Sequence, residues 1–321
     1  MQILDAIDDA RLDELTARRA FFWLDVVAPS DEQLSALARR FRWHPLAAED
    51  TREFDQRPKL DRYGDHMLLV FYGALGIGSG AHADGENERP ALIEVHLLVS
   101  GDWVVTIRHR RCAALDGLRE RLAAEAEPES EEFVVYRIVD ALTDTFFPLL
   151  DAIDERIDQL EDQILLDAND RQLQEVFRLK RQLGGLRRVV TPQRDVTARA
   201  IDELADLPGL SLSTRDWFRD VDDHLVRLSD LVDSYRDLLT GLMDVYLSTT
   251  SNRMNAVMKQ LTLVSTIFLP ITALTGFFGM NFGWMVGRID SPAAFFVLGV
   301  GGGVFAALAL VLWFKRARFL D

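Results

Sequence analysis

Residues 261–278 read LTLVSTIFLPITALTGFF, and no charged side chain occurs between Lys259 and Arg288. A second uncharged stretch follows, and most of it reads PAAFFVLGVGGGVFAALALVLWF. Each stretch is close to the length of about 20 apolar residues that a helix needs to cross a membrane. Because the second stretch has no polar face, two helices buried in a soluble core are the less favoured interpretation. The sequence therefore predicts two membrane-spanning helices, at residues 260–281 and 291–314.

The charges around this pair of helices predict which way it crosses the membrane. Basic side chains lie beyond both of its outer ends: Arg253, Lys259, Lys315, Arg316 and Arg318. The connection predicted at residues 282–290 carries only Arg288 and Asp290. Because the cytoplasmic flanks of membrane helices are enriched in Lys and Arg, we expect both termini in the cytoplasm and the connection outside. The predicted location is the inner or plasma membrane, with a basic cytosolic tail at residues 315–321.

The rest of the chain is strongly acidic, which narrows the range of functions. The chain has 321 residues and a net charge of −15, and residues 1–250 carry −19 because the remainder is slightly basic. Nucleic-acid binding requires clustered Lys and Arg, so no nucleic-acid partner is expected. The single cysteine, Cys112, excludes an internal disulfide and a cysteine-rich zinc site. The acidic N-terminal segment has no apolar core, and we do not expect it to be a secretory signal.

Residues 1–127 have the pattern of a cytosolic α/β domain. Segments rich in β-branched and aromatic residues predict four strands. These strands are residues 21–29, 66–75, 91–100 and 102–109. Ser30 follows the first of them and is placed to cap an amphipathic helix. Residues 76–90 are rich in glycine and predict a mobile loop, and the absence of Gly-Lys-Ser/Thr excludes a phosphate-binding loop there.

The pattern becomes helical after the α/β domain. Apolar residues recur at gaps of three and four and form a continuous seam for packing against other helices. The seam consists of Ile138, Leu142, Phe146, Leu149, Ile153, Ile157, Leu160 and Ile164. Pro148 is expected to bend this helix. We predict a helical hairpin region at residues 128–210, and a stalk helix at residues 211–259 that continues into the first membrane span.

A stripe of mostly polar or small side chains runs along the end of the stalk helix and the first span. Its members are spaced three and four residues apart and share one helical face. The stripe consists of Asn255, Met258, Thr262, Ser265, Leu269, Thr272 and Gly276. Small and hydroxyl residues also line ordinary helix contacts in lipid, so the stripe alone leaves both roles open. Two helices cannot enclose a hydrophilic path, so a conducting protein requires several copies around a shared axis.

The end of the first span carries the most specific motif. Residues 276–282 read GFFGMNF, and the upstream segments 255–262 and 267–272 read NAVMKQLT and IFLPIT. In this order, ahead of a second span and a basic tail, these segments resemble the CorA family of magnesium transporters. The resemblance covers nearly the whole chain. It extends to WFRDVDDH (217–224), GLMDVYLS (241–248), FRLKRQL (177–183) and QRPK (56–59).

The resemblance implies a fold and a site. The fold is an α/β cytosolic domain followed by long stalk helices and two C-terminal transmembrane helices, assembled as a funnel-shaped homopentamer in the lipid bilayer. The implied selectivity filter consists of Gly279, Met280 and Asn281. The implied pore-lining residues are Asn255, Met258, Leu261, Thr262, Ser265, Leu269, Thr272 and Gly276. Asp220 is implied to bind regulatory magnesium between subunits, and magnesium is the expected transported ion, with cobalt, nickel or zinc as alternatives.

The chain departs from the family pattern at two places. The acid that partners Asp220 in the family falls near Ile77 here, and Asp84 or Glu86 are the nearby acids that can replace it. Family members often carry Met-Pro-Glu-Leu after the filter motif, whereas residues 285–288 read MVGR. Arg288 therefore stands near an expected acid, which leaves the ion preference open.

Three other functions compete with magnesium transport. A zinc transporter of the ZntB type is the main alternative, although the soft ligands that zinc favours are scarce. A membrane-tethered scaffold or sensor would explain the stalk helix but neither the polar stripe nor the motif at Asn281. The six histidines include no pair with zinc-ligand helical spacing, and no Gly-x-Ser-x-Gly or Ser-x-x-Lys motif occurs. We therefore expect no enzymatic activity.

Overall fold

The computed structural model describes residues 1–75, 92–124, 131–203, 215–280, 283–289 and 291–316. The chain divides into two compact units, Met1–Val245 and Tyr246–Asp321. The predicted loop at residues 76–90 lies outside the described residues, and so do Ile77, Asp84 and Glu86 within it.

The first unit contains a six-stranded mixed sheet. Its strands are β1 (Gln2–Leu4), β2 (Phe22–Val27), β3 (Lys59–Tyr63), β4 (His66–Ala74), β5 (Leu92–Ser100) and β6 (Trp103–Arg108). They are arranged in the order β1-β2-β6-β5-β4-β3. β1, β2 and β6 run parallel, whereas β5, β4 and β3 continue the sheet in antiparallel pairs.

The central strands are buried on both faces. Every residue of β4 and of β6 is buried, as expected for near-continuous apolar strands with elements packed on both sides. The structure confirms the four predicted strands. The strands β1 and β3 are not predicted from the sequence, because β1 has only three residues and β3 reads KLDRY, which is too polar for a recognisable strand pattern.

Four short helices connect and cover the strands: α1 (Asp9–Arg18), α2 (Asp31–Arg40), α3 (Pro45–Asp50) and α4 (Ala113–Ala124). The predicted cap at Ser30 is confirmed as a full capping box at the start of α2. The Ser30 hydroxyl accepts from the Gln33 backbone N–H at 3.2 Å, and the Gln33 side chain accepts from the Ser30 N–H at 2.8 Å. These two bonds give hydrogen-bond partners to two backbone N–H groups that have none within the helix.

The remaining helices of the chain are long. They are α5 (Glu131–Asp144), α6 (Phe146–Asp167), α7 (Asp170–Glu203) and α8 (Arg215–Phe278). The predicted seam is divided between α5 and α6 at Thr145. Pro148 therefore lies in the first turn of α6, where the backbone N–H that proline lacks would have no partner within the helix. Leu150 is buried and the predicted Leu149 is only partly buried, whereas the other predicted members of the seam are all buried.

Helical side chains complete the hydrogen bonding of β4 beyond the last residue paired with β3. The Tyr72 N–H donates to the Gln193 side chain at 2.7 Å, and the Ala74 N–H donates to the Thr145 hydroxyl at 2.6 Å. Gly73 lies between them, and a Cβ there would be 2.9 Å from a Leu142 methyl carbon and 3.1 Å from the Thr145 hydroxyl. The helices therefore dock so closely at Gly73 that a larger residue would require the neighbouring side chains to shift.

We expect Gly73→Ala to destabilise the protein by about 1–3 kcal/mol, because the added methyl group overlaps packed atoms of α5. The measurement is the midpoint of thermal unfolding of the full-length protein in detergent, followed by circular dichroism. Gly117→Ala in α4 is the matched control, since the nearest atom to its Cβ is 3.9 Å away. The control should be neutral or stabilising by up to about 1 kcal/mol. Equal midpoints for the two variants would contradict the tight docking at Gly73.

The second unit contains the end of α8 and the elements that follow it. These are α9 (Gly283–Val286), α10 (Pro292–Ala294), a π-helical segment (Phe295–Gly301) and α11 (Gly302–Arg316). Two of the described helices are long and apolar enough to cross a membrane: the end of α8, and the continuous helix Pro292–Arg316. None of either apolar stretch is buried within the chain.

Candidate functional site

The predicted pore-lining residues all lie on one helix, α8. All of them are exposed in the single chain: Asn255, Met258, Leu261, Thr262, Ser265, Leu269, Thr272 and Gly276. Leu269 is the most exposed of the large apolar members, at 71%. Some apolar residues on the other faces of this span are also exposed, for example Phe268 at 63%. Exposure alone therefore does not distinguish the stripe from the rest of the helix surface. The stripe differs because most of its side chains are polar or small.

The threonine hydroxyls of the stripe are bonded to the backbone of the preceding turn. Thr262 donates to the Met258 carbonyl at 2.8 Å, and Thr272 donates to the Phe268 carbonyl at 2.9 Å. These bonds satisfy the hydroxyl hydrogens within the helix, as a membrane interior requires. The lone pairs of each hydroxyl oxygen stay available to accept a hydrogen bond from water or to contact a cation.

Pro270 interrupts the hydrogen bonding of the same helix. Proline has no backbone N–H, so the Thr266 carbonyl cannot receive the usual bond from residue 270. In a membrane such a carbonyl needs another partner, which water or a neighbouring helix supplies. The first span therefore carries side-chain and backbone oxygens that hydrocarbon cannot engage.

The predicted filter begins where α8 ends. The Gly279 N–H donates to the Thr275 carbonyl at 2.9 Å, and the Met280 N–H donates to the Phe277 carbonyl at 3.3 Å. A Cβ at Gly279 would lie 3.1 Å from the Thr275 oxygen, so a residue without a side chain suits this turn. Asn281 lies outside the described residues, and its role in the filter stays a prediction.

The predicted regulatory residue, Asp220, lies in a group of side chains that we call the stalk cluster: Asp140, Asp144, Asp220 and His224. His224 Nδ1 is 3.8 Å from Oδ1 of Asp140 and also 3.8 Å from Oδ1 of Asp144. His224 Nε2 is 3.9 Å from Oδ1 of Asp220. The Tyr136 hydroxyl donates to Oδ2 of Asp220 at 3.4 Å. Residues of α5 and α8 that are distant in sequence therefore meet at one place.

The stalk cluster has an excess of negative charge. Burial raises the pKa of Asp140 to about 6, and the charges of Asp144 and Asp220 add to this effect while His224 opposes it. Burial, with Asp140 and Asp220 nearby, also raises the pKa of Tyr136 to about 12. Asp140 Oδ1 and His224 Nδ1 are buried and have no hydrogen-bond partner within the described part of the chain. Unsatisfied buried polar atoms are costly, so the arrangement favours the binding of a further positive group.

The donor atoms of the stalk cluster suit a divalent cation. One ligand atom from each of Asp140, Asp144 and His224 lies within 4.8 Å of the other two, and no other set of three such residues with this spacing occurs among the described residues. Carboxylate oxygens are the ligands that magnesium and calcium prefer. The imidazole broadens the range to cobalt, nickel and zinc. Asp220 is not a member of this trio, and it contacts the other ring nitrogen of His224.

Sequence reasoning identified Asp220 and missed the other three members of the stalk cluster. The signal that could have found them is the spacing within each helix, since Asp140 precedes Asp144 by one turn and Asp220 precedes His224 by one turn. Such i, i+4 pairs project from the same helical face. The sequence could not show that these two faces meet, because the pairing of α5 with α8 depends on the tertiary fold.

An aromatic group adjoins the stalk cluster. Trp217 lies one turn before Asp220, and its ring centroid is 5.4 Å from those of both Tyr136 and Phe133. The Trp217 side chain is 47% exposed. The chain has six tryptophans, so the Trp217 signal is obtained by subtracting the fluorescence of Trp217→Phe, and it then reports changes at the cluster.

Comparison with known proteins identifies the family. The model of the CorA-like Mg2+ transporter protein family matches residues 18–316. The chain belongs to this family. Among its CorA-family relatives is the cobalt/magnesium transport protein CorA of Thermotoga maritima, which is 32% identical over 87% of this chain and 78% of its own length. The zinc transport protein ZntB of Pectobacterium carotovorum is 29% identical over 90% of this chain and 86% of its own.

Solved structures confirm the predicted fold class. The CorA magnesium transporter of Methanocaldococcus jannaschii matches with a TM-score of 0.77 at 23% identity, over 92% of this chain and 90% of that protein. The full-length CmaX protein matches with a TM-score of 0.71 at 25% identity, over 92% and 88% of the two chains. The chain therefore has the CorA fold, with an N-terminal α/β domain, a long helix and two C-terminal apolar helices, and it is a membrane protein of a divalent-cation transporter family.

The charge of the stalk cluster predicts a pH-dependent stability. The folded-state pKa of Asp140 lies above its ordinary value, so ionised Asp140 destabilises the cation-free protein above about pH 6. We expect Asp140→Asn to be more stable than the native protein at neutral pH without divalent cations, by about 1 kcal/mol after allowance for solvent screening. The advantage should shrink as the pH falls from about 6 towards 4, where native Asp140 takes up its proton.

Thermal unfolding in chelator across this pH range measures the difference between the two proteins. Asp230→Asn is the control, because Asp230 is an exposed acid on α8 outside the cluster. An Asp140→Asn variant that is less stable than the native protein at neutral pH would contradict the excess of negative charge.

Proposed function

We propose that this protein is one subunit of a homopentameric channel of the inner or plasma membrane, with both termini in the cytoplasm. The channel admits magnesium to the cell and closes when cytosolic magnesium binds the stalk cluster. The observation that carries the proposal is the stripe of oxygen-bearing side chains on the first membrane helix. One helix cannot shield this stripe from lipid, whereas several copies can turn it towards a common axis. The second membrane helix has no polar face and suits the lipid boundary.

The proposed filter chemistry follows from the properties of magnesium. This ion prefers octahedral oxygen coordination and loses its bound water reluctantly. A ring of Asn281 amide oxygens can accept hydrogen bonds from that bound water. Neutral amides do this without holding the ion as strongly as carboxylates would, so that the ion can also leave.

Deeper in the proposed pore, apolar and polar rings alternate. Rings of Leu269 and Met258 are placed to form constrictions that stop ions by excluding water. Thr272 lies on the filter side of Leu269, and Asn255 lies beyond Met258 towards the cytoplasm. Their oxygens can contact a hydrated cation on either side of the constrictions. The inward direction follows from the membrane potential, which is worth about 2.3 kcal/mol per charge for each 100 mV.

The proposed gate depends on the repulsion within the stalk cluster. A bound cation offsets the charges of Asp140, Asp144 and Asp220 and stabilises the arrangement that holds it. Loss of the cation leaves the carboxylates in mutual repulsion, which favours a different arrangement. A ligand shifts a conformational equilibrium only through such a difference in affinity between two states. By the family resemblance, the closed state is the one that binds cation.

Zinc transport of the ZntB type is the second candidate function. It is favoured by the similarity to the zinc transport protein of Pectobacterium carotovorum. The presence of His224 in the stalk cluster also permits a softer regulatory ion than magnesium. Uptake measurements with several metals separate the two candidates.

The first test is ion uptake by full-length protein in liposomes that contain a magnesium-sensitive dye. We expect magnesium uptake that follows an imposed inside-negative potential, and its loss in Asn281→Ala, because the alanine removes the amide that holds hydrated magnesium. Zinc, cobalt and nickel are measured in parallel with suitable dyes. Asn252→Ala is the matched control, since Asn252 is an exposed asparagine of α8 outside the stripe.

Each contrary outcome has a distinct meaning. Zinc uptake that requires a proton gradient, without a magnesium signal, would replace the magnesium proposal with the zinc alternative. The absence of any cation flux, in protein shown to be folded and pentameric, would leave a scaffold or sensor as the function.

The second test addresses the gate through Trp217 fluorescence. We expect magnesium to change the fluorescence of the native protein. In Asp220→Asn, the magnesium concentration that gives half of this change should rise about tenfold or more, because the substitution removes a carboxylate oxygen and a charge. In liposomes, the same variant should need correspondingly more internal magnesium to stop uptake. Asp230→Asn is again the control. A variant with native fluorescence response and native closure would contradict the role of Asp220.

A further inference from the structure

The segment after the first membrane helix holds a positive charge in a defined position. The Arg288 guanidinium carbon lies 5.3 Å from the centroid of the Trp284 ring, which is within the range of a cation–π interaction. Both side chains are exposed, and the Trp284 side chain is 74% exposed. Arg288 is also the only basic residue between Lys259 and Lys315.

The local backbone keeps these two side chains together. The Gly287 N–H donates to the Gly283 carbonyl at 3.2 Å, and the Arg288 and Ile289 N–H groups donate to the Met285 carbonyl at 3.1 and 3.2 Å. The Met285 side chain is buried. A compact turn of this kind fixes Arg288 above Trp284, whereas an extended segment would let the guanidinium swing away.

The turn also restricts how far the charge can lie from the proposed filter. Met280 is the last described residue of that filter, and Trp284 follows it by four residues. Consecutive Cα atoms span at most about 3.6 Å along an extended chain, so the two Cα atoms are within about 14 Å of each other. Because Arg288 is stacked on Trp284, its charge stays close to the end of the first membrane helix.

We propose that Arg288, positioned by Trp284, is a fixed positive charge at the outer mouth of the channel that restrains the capture of divalent cations from dilute solution. This inference rests on the proposed channel function. In a homopentamer the charge occurs five times around the axis. A divalent cation is repelled twice as strongly as a monovalent one at the same distance. The repulsion acts before the filter, so it affects capture at low concentration and leaves the maximum rate largely unchanged.

The test is the initial rate of magnesium uptake by full-length protein in liposomes, measured over a range of external magnesium concentrations. We expect Arg288→Gln to raise uptake at low magnesium by about two- to tenfold, and Arg288→Glu to raise it further, with little change at saturation. The gain should be largest at about 0.01 M external salt and nearly absent at about 1 M, where charges are screened within about 3 Å. Arg288→Lys, which keeps the charge, should stay near the native rate.

Three controls separate an electrostatic role from a structural one. Lys315→Gln removes one positive charge after the second membrane helix, on the expected cytoplasmic side, and should leave uptake unchanged. Trp284→Leu frees the guanidinium and should give a smaller gain than Arg288→Gln. Asp290→Asn removes the nearest acid in the sequence and should lower uptake at low magnesium.

Two results would overturn the inference. One is unchanged uptake at low magnesium in both Arg288→Gln and Arg288→Glu, while Asn281→Ala still abolishes it, which would leave the channel function intact. The other is a gain that persists at high salt or also occurs in Arg288→Lys, which would indicate a change of loop structure. The absence of magnesium uptake by folded, pentameric native protein would instead reject the proposed function on which the inference rests.

Discussion

The requirement that polar groups in a membrane find partners governs how this chain can be organised. The first membrane helix carries threonine and serine side chains along one face, and Pro270 leaves a backbone carbonyl without its usual donor. Hydrocarbon cannot satisfy these oxygens, and the second membrane helix offers only apolar and glycine residues. In the proposed homopentamer, water and the same face of other copies are the partners. Assembly around a water-filled axis answers this requirement, and it also produces a path for ions.

The acidic part of the chain, residues 1–250, carries an excess of negative charge. In the stalk cluster, burial and the neighbouring carboxylates raise the pKa of Asp140, and His224 offsets only part of this increase. The proposed binding of a divalent cation would offset the repulsion and give the unsatisfied atoms a partner. Because α8 carries Asp220 and His224 as well as the polar stripe, the same helix bears the proposed sensor and the proposed pore. The stalk cluster requires a cation, and the stripe requires further copies of the chain. Both requirements arise from polar groups that one chain leaves unsatisfied.

The features that the sequence predicted well are those with local signals. The two membrane helices follow from long uncharged stretches, the α2 cap from Ser30, and the central strands from runs of β-branched residues. The features that it missed depend on contacts between distant segments. The strand β3 is too polar to be recognised without its neighbour β4. The helix breaks at Thr145, where the hydroxyl accepts from the Ala74 N–H of β4, and the stalk cluster requires α5 to meet α8. The filter position of Asn281 still rests on the family resemblance.

The most direct test of this account is the reactivity of single cysteines placed along the first membrane helix, with a charged, water-soluble thiol reagent. The one native cysteine, Cys112, is buried, so it should contribute little background. The account predicts that cysteines at Thr262, Ser265, Leu269 and Thr272 react, that magnesium slows their reaction, and that cysteines at Leu263, Phe268 and Leu274 do not react. Reaction confined to the latter positions, or no difference between the two sets, would contradict a water-filled path lined by the stripe.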